Sequence, residues 1–108
     1  MNIATLIDAD VLTLLKALAN DIRFEIVRIL ARGERCVCDL EDALDLPQSK
    51  VSYHLTVLRD AGLVAVDTRG RNSYYRLLPA PLYQLGGDLL NDVFLSSLPG
   101  KYQTDSVC

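Results

Sequence analysis

Long apolar runs are missing from this 108-residue chain, and nothing in it approaches the roughly 20 consecutive apolar residues that a membrane span requires. The first residues, Met1-Asn2-Ile3-Ala4-Thr5, lack a basic segment leading into an apolar stretch and a cleavage site. A cytoplasmic protein without a membrane partner is therefore expected. Histidine is almost absent, with His54 alone, and there is no Cys-x-x-Cys pair of the kind thiol oxidoreductases use. The three cysteines, an odd number in a chain without a secretion signal, argue against a disulfide framework and for reduced thiols available to a metal or to redox chemistry. Repeats and low-complexity segments are also missing. A chain of this length makes one domain that buries about two thirds of its unfolded surface.

A global surplus of positive charge is lacking too, since the formal net charge is −3. The charge is unevenly spread, however. Residues 1–49 carry nine acidic and five basic side chains, whereas residues 50–76 carry Lys50, Arg59, Arg69, Arg71 and Arg76 against Asp60 and Asp67. A basic middle segment in an acidic protein is a local electrostatic footprint of the kind that meets nucleic acid.

Helical periodicity dominates what is present. Val11, Leu12, Leu14, Leu15 and Leu18 form an apolar stripe, with Asp8 or Asp10 as its N-cap. After Asn20-Asp21 a second stripe of Ile22, Ile26, Ile29 and Leu30 runs toward a C-cap at Gly33. A short helix follows over Val37 to Leu44, with Asp39 placed to cap it. Leu46-Pro47 turns the chain into a further helix from Gln48 to Ala61, in which Val51, Leu55 and Leu58 face the core and Gly62 ends the element. Two short helices joined by a tight turn form a helix-turn-helix.

Leu63 to Val66 and Ser73 to Leu77 read as strands, joined by a tip of Arg69-Gly70-Arg71-Asn72. A basic-tipped hairpin after the second helix is a wing. Past Pro79 and Pro81 a last helix carries Leu82, Leu85, Leu89, Leu90, Val93, Phe94 and Leu98, more apolar surface than one face inside a small domain needs. The fold class expected is mainly α with a small β-hairpin: a winged helix-turn-helix of about five helices, homodimeric through its first and last helices. Residues 1–98 make the DNA-binding and dimerisation domain, and 99–108 a flexible tail carrying Cys108.

In the helix opened by Pro47, Gln48, Ser49, Ser52, Tyr53 and Thr56 cluster toward the N-terminal half, where a recognition helix meets base edges. Lys50 and Arg59 are placed for phosphate, and Arg69 and Arg71 on the wing for the backbone or minor groove. His54 lies in the same helix, with a DNA-facing or a packing role.

Leu15 to Arg23, Cys36-Val37-Cys38-Asp39-Leu40, Gln48 to Leu55 and Leu58 to Val64 together resemble the ArsR/SmtB family of winged-helix repressors. The Cys-Val-Cys-Asp-Leu element is similar to the arsenite-sensing branch. The resemblance implies a repressor, not an enzyme, whose dimer binds double-stranded operator DNA and lets go when the metal binds. It implies arsenite, or antimonite, as inducer. Thiolates select soft ions, which suits that inducer and leaves cadmium, lead, zinc or an organoarsenical as alternatives. Zinc sensors of the family use histidine and carboxylates on the last helix, where this chain has Asp88 and Asp92 but no histidine. The position of a third cysteine in some arsenite sensors is occupied by Glu41, so Cys108 is the remaining thiol to complete a Cys36, Cys38, Cys108 set. Its tail can span at most ~25 to 30 Å, enough to reach either subunit's pair.

Residues i and i+2 lie about 200° apart around a helix. On that argument Cys36 and Cys38 can share an ion only if the backbone at Cys38 is not fully helical, and, where the helix starts at or before Cys38, closing the chelate must unwind or tilt the first turn. A thiol redox switch and a winged-helix module that never touches DNA are the competing readings.

Overall fold

A computed structural model describes residues 3–95, with side chains for 11–94. Within it the order is α1 (Ile3–Leu18), α2 (Asp21–Leu30), β1 (Arg35–Cys36), α3 (Val37–Leu44), α4 (Gln48–Asp60), β2 (Val64–Arg69), β3 (Asn72–Leu77) and α5 (Pro79–Leu90), continued by a π-helical stretch over Asn91–Leu95. The winged helix-turn-helix expected from the sequence is present, with α3 and α4 as the helix pair and β2–β3 as the wing. Leu98 and the tail 99–108, Cys108 included, lie outside the described residues.

Helix ends are set by local chemistry. Asn20 caps α2 by accepting the Arg23 N–H at 3.0 Å. α1 begins at Ile3, so Asp8 and Asp10 sit within the helix rather than capping it. α3 stops at Asp45, which takes the left-handed conformation at φ 54°, tolerable for an aspartate. Pro47 precedes α4 as its cap residue, one position earlier than expected. At the far end the N–H of Gly62 bonds Arg59 O and that of Leu63 bonds Leu58 O, both at 2.9 Å, a Schellman closure that needs Gly62 at φ 85°.

The core lies where the helix pair meets α1, α2 and the wing. Ile26, Leu40, Val51, Leu55, Leu58 and Leu63 are fully buried, joined by Leu14, Ala17, Val27, Leu30, Val64 and Tyr75. Burial of this kind stabilises by about 1.5–3 kcal/mol per large aliphatic side chain. It fixes α4 from behind and leaves its other face in solvent.

The sheet is larger than the expected hairpin. β2 and β3 pair antiparallel from Val64↔Leu77 to Arg69↔Asn72. β1 adds a third, two-residue strand on the other side of β3, with Arg35 opposite Tyr75 and Cys36 opposite Tyr74. Nothing in the residues around Cys36 has strand periodicity, because two residues cannot display one. The strand that carries the first cysteine is thereby built into the wing.

Candidate functional site

Cys36 ends β1 and is the N-cap of α3, with extended backbone at φ −80° and ψ 165°. Its Sγ accepts the Asp39 N–H at 3.2 Å, and the Asp39 carboxylate accepts the Cys36 N–H at 3.2 Å. This is a reciprocal capping box with sulfur in place of a hydroxyl. Asp39 is thus the N3 partner in the box, and Cys36 is the cap that the sequence argument assigned to Asp39.

The two cysteines meet across the first turn, with Cα atoms 5.3 Å apart, and are joined as a disulfide. That departs from the expectation of reduced thiols. It also corrects the geometric argument: α3 is helical from Val37, yet the sulfurs converge without unwinding it. The reason is that Cys36 stands outside the helix, and its extended backbone swings the Cβ toward Cys38. The 200° separation applies only when both residues are helical.

The Asp39 carboxylate lies within 4.8 Å of both sulfurs, so Cys36, Cys38 and Asp39 form a cluster able to hold a metal. Cys36 is buried, while Cys38 and Asp39 are exposed. Sequence reasoning treated Asp39 only as a cap. The signal that would have found it is the Cys-x-x-Asp spacing, which is the capping-box spacing. Glu41 and Cys38 line a cleft of about 220 Å³ with Val37, Gln48, Arg71, Asn72 and Ser73. The thiol segment, the start of α4 and the wing tip therefore border one space.

On α4, Gln48, Ser49, Lys50, Tyr53, Thr56 and Arg59 are exposed, and Ser52 is half-buried. Gln48 reaches Ser52 Oγ at 3.4 Å, and the Thr56 hydroxyl donates to Ser52 O at 2.9 Å. These side chains form one polar face opposite Val51, Leu55 and Leu58. His54 does not share that face. It is 6% exposed, turned into the protein rather than presented with the polar side chains.

His54 is held by Arg23. The guanidinium lies 3.1 Å from His54 Nδ1 and also donates to Ala17 O at 2.7 Å and Lys16 O at 3.2 Å. An arginine offers only donors, so Nδ1 accepts and the ring proton sits on Nε2. One side chain thereby ties the last carbonyls of α1 to the middle of α4. Burial, followed by the charges of Arg23 and Lys50, pushes the His54 imidazole below its ordinary value and favours the neutral ring that this contact requires.

The wing arginines differ. Arg71 is exposed beside the cleft. Arg69 donates to both Glu34 oxygens at 2.8 and 2.7 Å and to Asp67 at 2.9 Å, and lies 4.7 Å from the centre of the Tyr74 ring. Hydrogen bonds to Glu34, then to Asp67, raise its guanidinium still further above the ordinary arginine value.

The last helix covers only part of its apolar surface: Leu82 and Leu85 pack against the core and Leu89 is half-buried. No residue of α5 is fully buried, and Tyr83, Leu90, Val93 and Phe94, with Leu12 on α1, are exposed. A Cβ placed at Gly86 or Gly87 would meet nothing within 4 Å. No helix among the described residues is long and apolar enough to cross a membrane.

Residues 20–66 match the family described as bacterial regulatory protein, arsR family. The arsenical resistance operon repressor of Bacillus subtilis is 49% identical over 63 residues, covering 57% of this chain and 60% of that protein. The HTH-type transcriptional repressor SmtB of Mycobacterium tuberculosis is 48% identical over 64 residues, covering 59% and 47%. Both matches span less than two thirds of the relative's own length. Among solved structures, HlyU from Vibrio cholerae aligns with a TM-score of 0.66 at 33% identity, over 81% of this chain and 94% of HlyU.

Proposed function

Because the chain belongs to the arsR family of bacterial regulatory proteins, we propose that it is a homodimeric repressor of transcription that binds operator DNA and releases it when Cys36 and Cys38 hold trivalent arsenic. The relatives it matches are named as repressors, not enzymes. The observation that carries the reading is the meeting of two sulfurs and a carboxylate at the cap of α3, the first helix of the DNA-reading pair.

The donor set suits a thiophilic trivalent metalloid: two sulfurs close enough to bond, and one carboxylate beside them. When bound, such an ion supplies bonds to two thiolates, which the reduced form of the pair offers. Asp39 or Cys108 is the candidate for a third bond. The chain's own contribution to release runs through the cap. Cys36 Sγ accepts the Asp39 N–H, so recruiting that sulfur weakens the capping box and with it the first turn of α3. Leu40, fully buried one turn on, carries any tilt of α3 into the packing beneath α4.

DNA would be read by Gln48, Ser49, Ser52, Tyr53 and Thr56, with Lys50, Arg59 and Arg71 on phosphate. The uncovered apolar faces of α5 and α1 are where a second copy packs, and a two-fold dimer calls for palindromic half-sites about one helical turn apart.

A titration of protein–DNA complex with arsenite, antimonite, cadmium, lead and zinc tests the reading. Release by arsenite at lower concentration than by zinc, lost in Cys36→Ser and Cys38→Ser, is the expected result. Loss in Cys108→Ser as well identifies the tail thiol as the third ligand. Release by arsenite that survives both Cys36→Ser and Cys38→Ser sinks the proposal.

The disulfide between Cys36 and Cys38 favours a second reading, a thiol redox switch. A low-molecular-weight disulfide would accept the two electrons and two protons given up by the pair. DNA affinity that changes between reduced and oxidised glutathione, with no metalloid present, would mark that switch.

A further inference from the structure

We propose that Arg69, a wing arginine, is not a phosphate contact but a positioning residue that fastens the wing to the strand bearing Cys36, leaving Arg71 as the wing's cation for DNA. The inference rests on the DNA-binding reading above and adds a division of labour between two arginines that the sequence treats alike.

The geometry is specific. Arg69 ends β2, on one side of the sheet, while Glu34 immediately precedes β1 on the other side. The guanidinium passes the ring of Tyr74 on the central strand and makes a two-pronged contact with both Glu34 oxygens. Tyr74 is itself the backbone partner of Cys36. Asp67, on the same strand as Arg69, accepts from Nε. The planar fork is thus committed to two carboxylates and a ring face, the arrangement that arginine makes best and lysine cannot copy.

A phosphate could recruit this group only by displacing a carboxylate from a paired contact, and Glu34 and Asp67 would then face the DNA backbone as uncompensated negative charges. Arg71 carries no such obligation: it is exposed, pairs with no carboxylate among the described residues, and borders the cleft shared with Cys38 and Gln48. Fastening has a consequence for signalling. The segment Glu34–Cys36 is held to the wing by the strand pairing of β1 with β3 and by the Arg69 fork, so a displacement at the thiols carries the wing with it.

The test uses a duplex enriched by the wild-type protein from a random pool, with affinity measured across a salt series. Each phosphate contact contributes about 0.9 to the slope of log affinity against log salt. Arg71→Ala should lower the slope by about that amount, and Arg69→Ala should leave it unchanged while weakening affinity through a misplaced wing. Glu34→Gln should weaken affinity by a similar factor, and the double variant no further, because either change opens the same fastening. Both residues are at the surface, and an unchanged thermal midpoint in each variant shows that the fold is intact. A slope lowered by about 0.9 in Arg69→Ala, or losses that multiply in the double variant, overturns the inference while leaving the repressor reading standing. Failure of the wild type to enrich any duplex overturns the repressor reading itself.

Discussion

The thiol segment and the reading helix are adjacent, yet they are held in opposite ways. The side chains of Cys36, Cys38 and Asp39 are organised by contacts no more than three residues apart, on the first turn of an eight-residue helix, with two of the three exposed; the one long-range tie is the backbone pairing of Cys36 with Tyr74. α4 is held from behind by Val51, Leu55 and Leu58, all fully buried, and by the long-range Arg23–His54 contact. Local caps cost little to disturb, whereas a packed stripe is expensive to move. A sensor that must respond belongs on the first kind of support and a reader that must keep its register belongs on the second. The thiol segment reaches the core beneath α4 through Leu40, and the wing through Glu34–Arg69 and the β1–β3 pairing.

The comparison breaks most sharply at the core stripe. Leu55→Ala removes a fully buried side chain and should cost about 2–5 kcal/mol of stability, read as a fall in the urea midpoint with loss of DNA binding. A cost below about 1 kcal/mol would show that α4 is not supported from behind as described.

Arg23→Ala comes next. It leaves His54 Nδ1 and the Ala17 carbonyl, both part-buried, and the exposed Lys16 carbonyl without this donor, a loss of about 1–3 kcal/mol carried by the two part-buried groups. The same variant should weaken DNA binding beyond its effect on stability, because the link fixes α4 against α1. DNA affinity unaltered in folded Arg23→Ala would confine the contact to stability.

These two expectations differ in how far the sequence anticipated them. Val51, Leu55 and Leu58 were legible because burial at i, i+4 and i+7 leaves a periodic trace, and Gly62 because a left-handed residue ends a helix visibly. The wing strands were legible within a few residues, since aromatic and branched side chains mark them. β1 was not, because its pairing of Cys36 with Tyr74 joins residues far apart in the chain. Arg23–His54 was hidden for the same reason: each looks like an ordinary surface residue of an amphipathic helix until α2 packs on α4. Arg69 read as a free cation because sequence shows charge but not the carboxylate that answers it, and Glu34 lies 35 positions away.

Acid should separate the two regions more gently. The native His54 imidazole is pushed below its ordinary value of 6.5, so the unfolded chain binds the extra proton first as pH falls. The stability contributed by the neutral ring is complete above pH 6.5 and is lost as pH drops from there through the lowered native value. Chemical denaturation between pH 8 and pH 5 should show this decline in the wild type and a flatter profile in His54→Gln over the same window. Identical profiles for the two proteins would remove His54 from the account.

The smallest effect on stability should accompany a complete loss of response. Cys36→Ser keeps a side chain that accepts the Asp39 N–H, and serine is among the best N-cap residues, so the capping box survives. Measured against the reduced wild type, the penalty is confined to placing a hydroxyl at a site only 5% exposed, and stability should change by less than about 1 kcal/mol because the hydroxyl retains its partner. Cysteine-dependent release of DNA should nevertheless disappear, since one of the two sulfurs is gone. Such a variant isolates the sensor from the scaffold, with an unchanged urea midpoint, unchanged DNA affinity without inducer and no release with it. A large fall in the midpoint would instead mean that Cys36 supports the fold through its packing beside Tyr74. In that case the sensing turn would share the rigidity of the reading helix, and the contrast between the two regions would fail at its first residue.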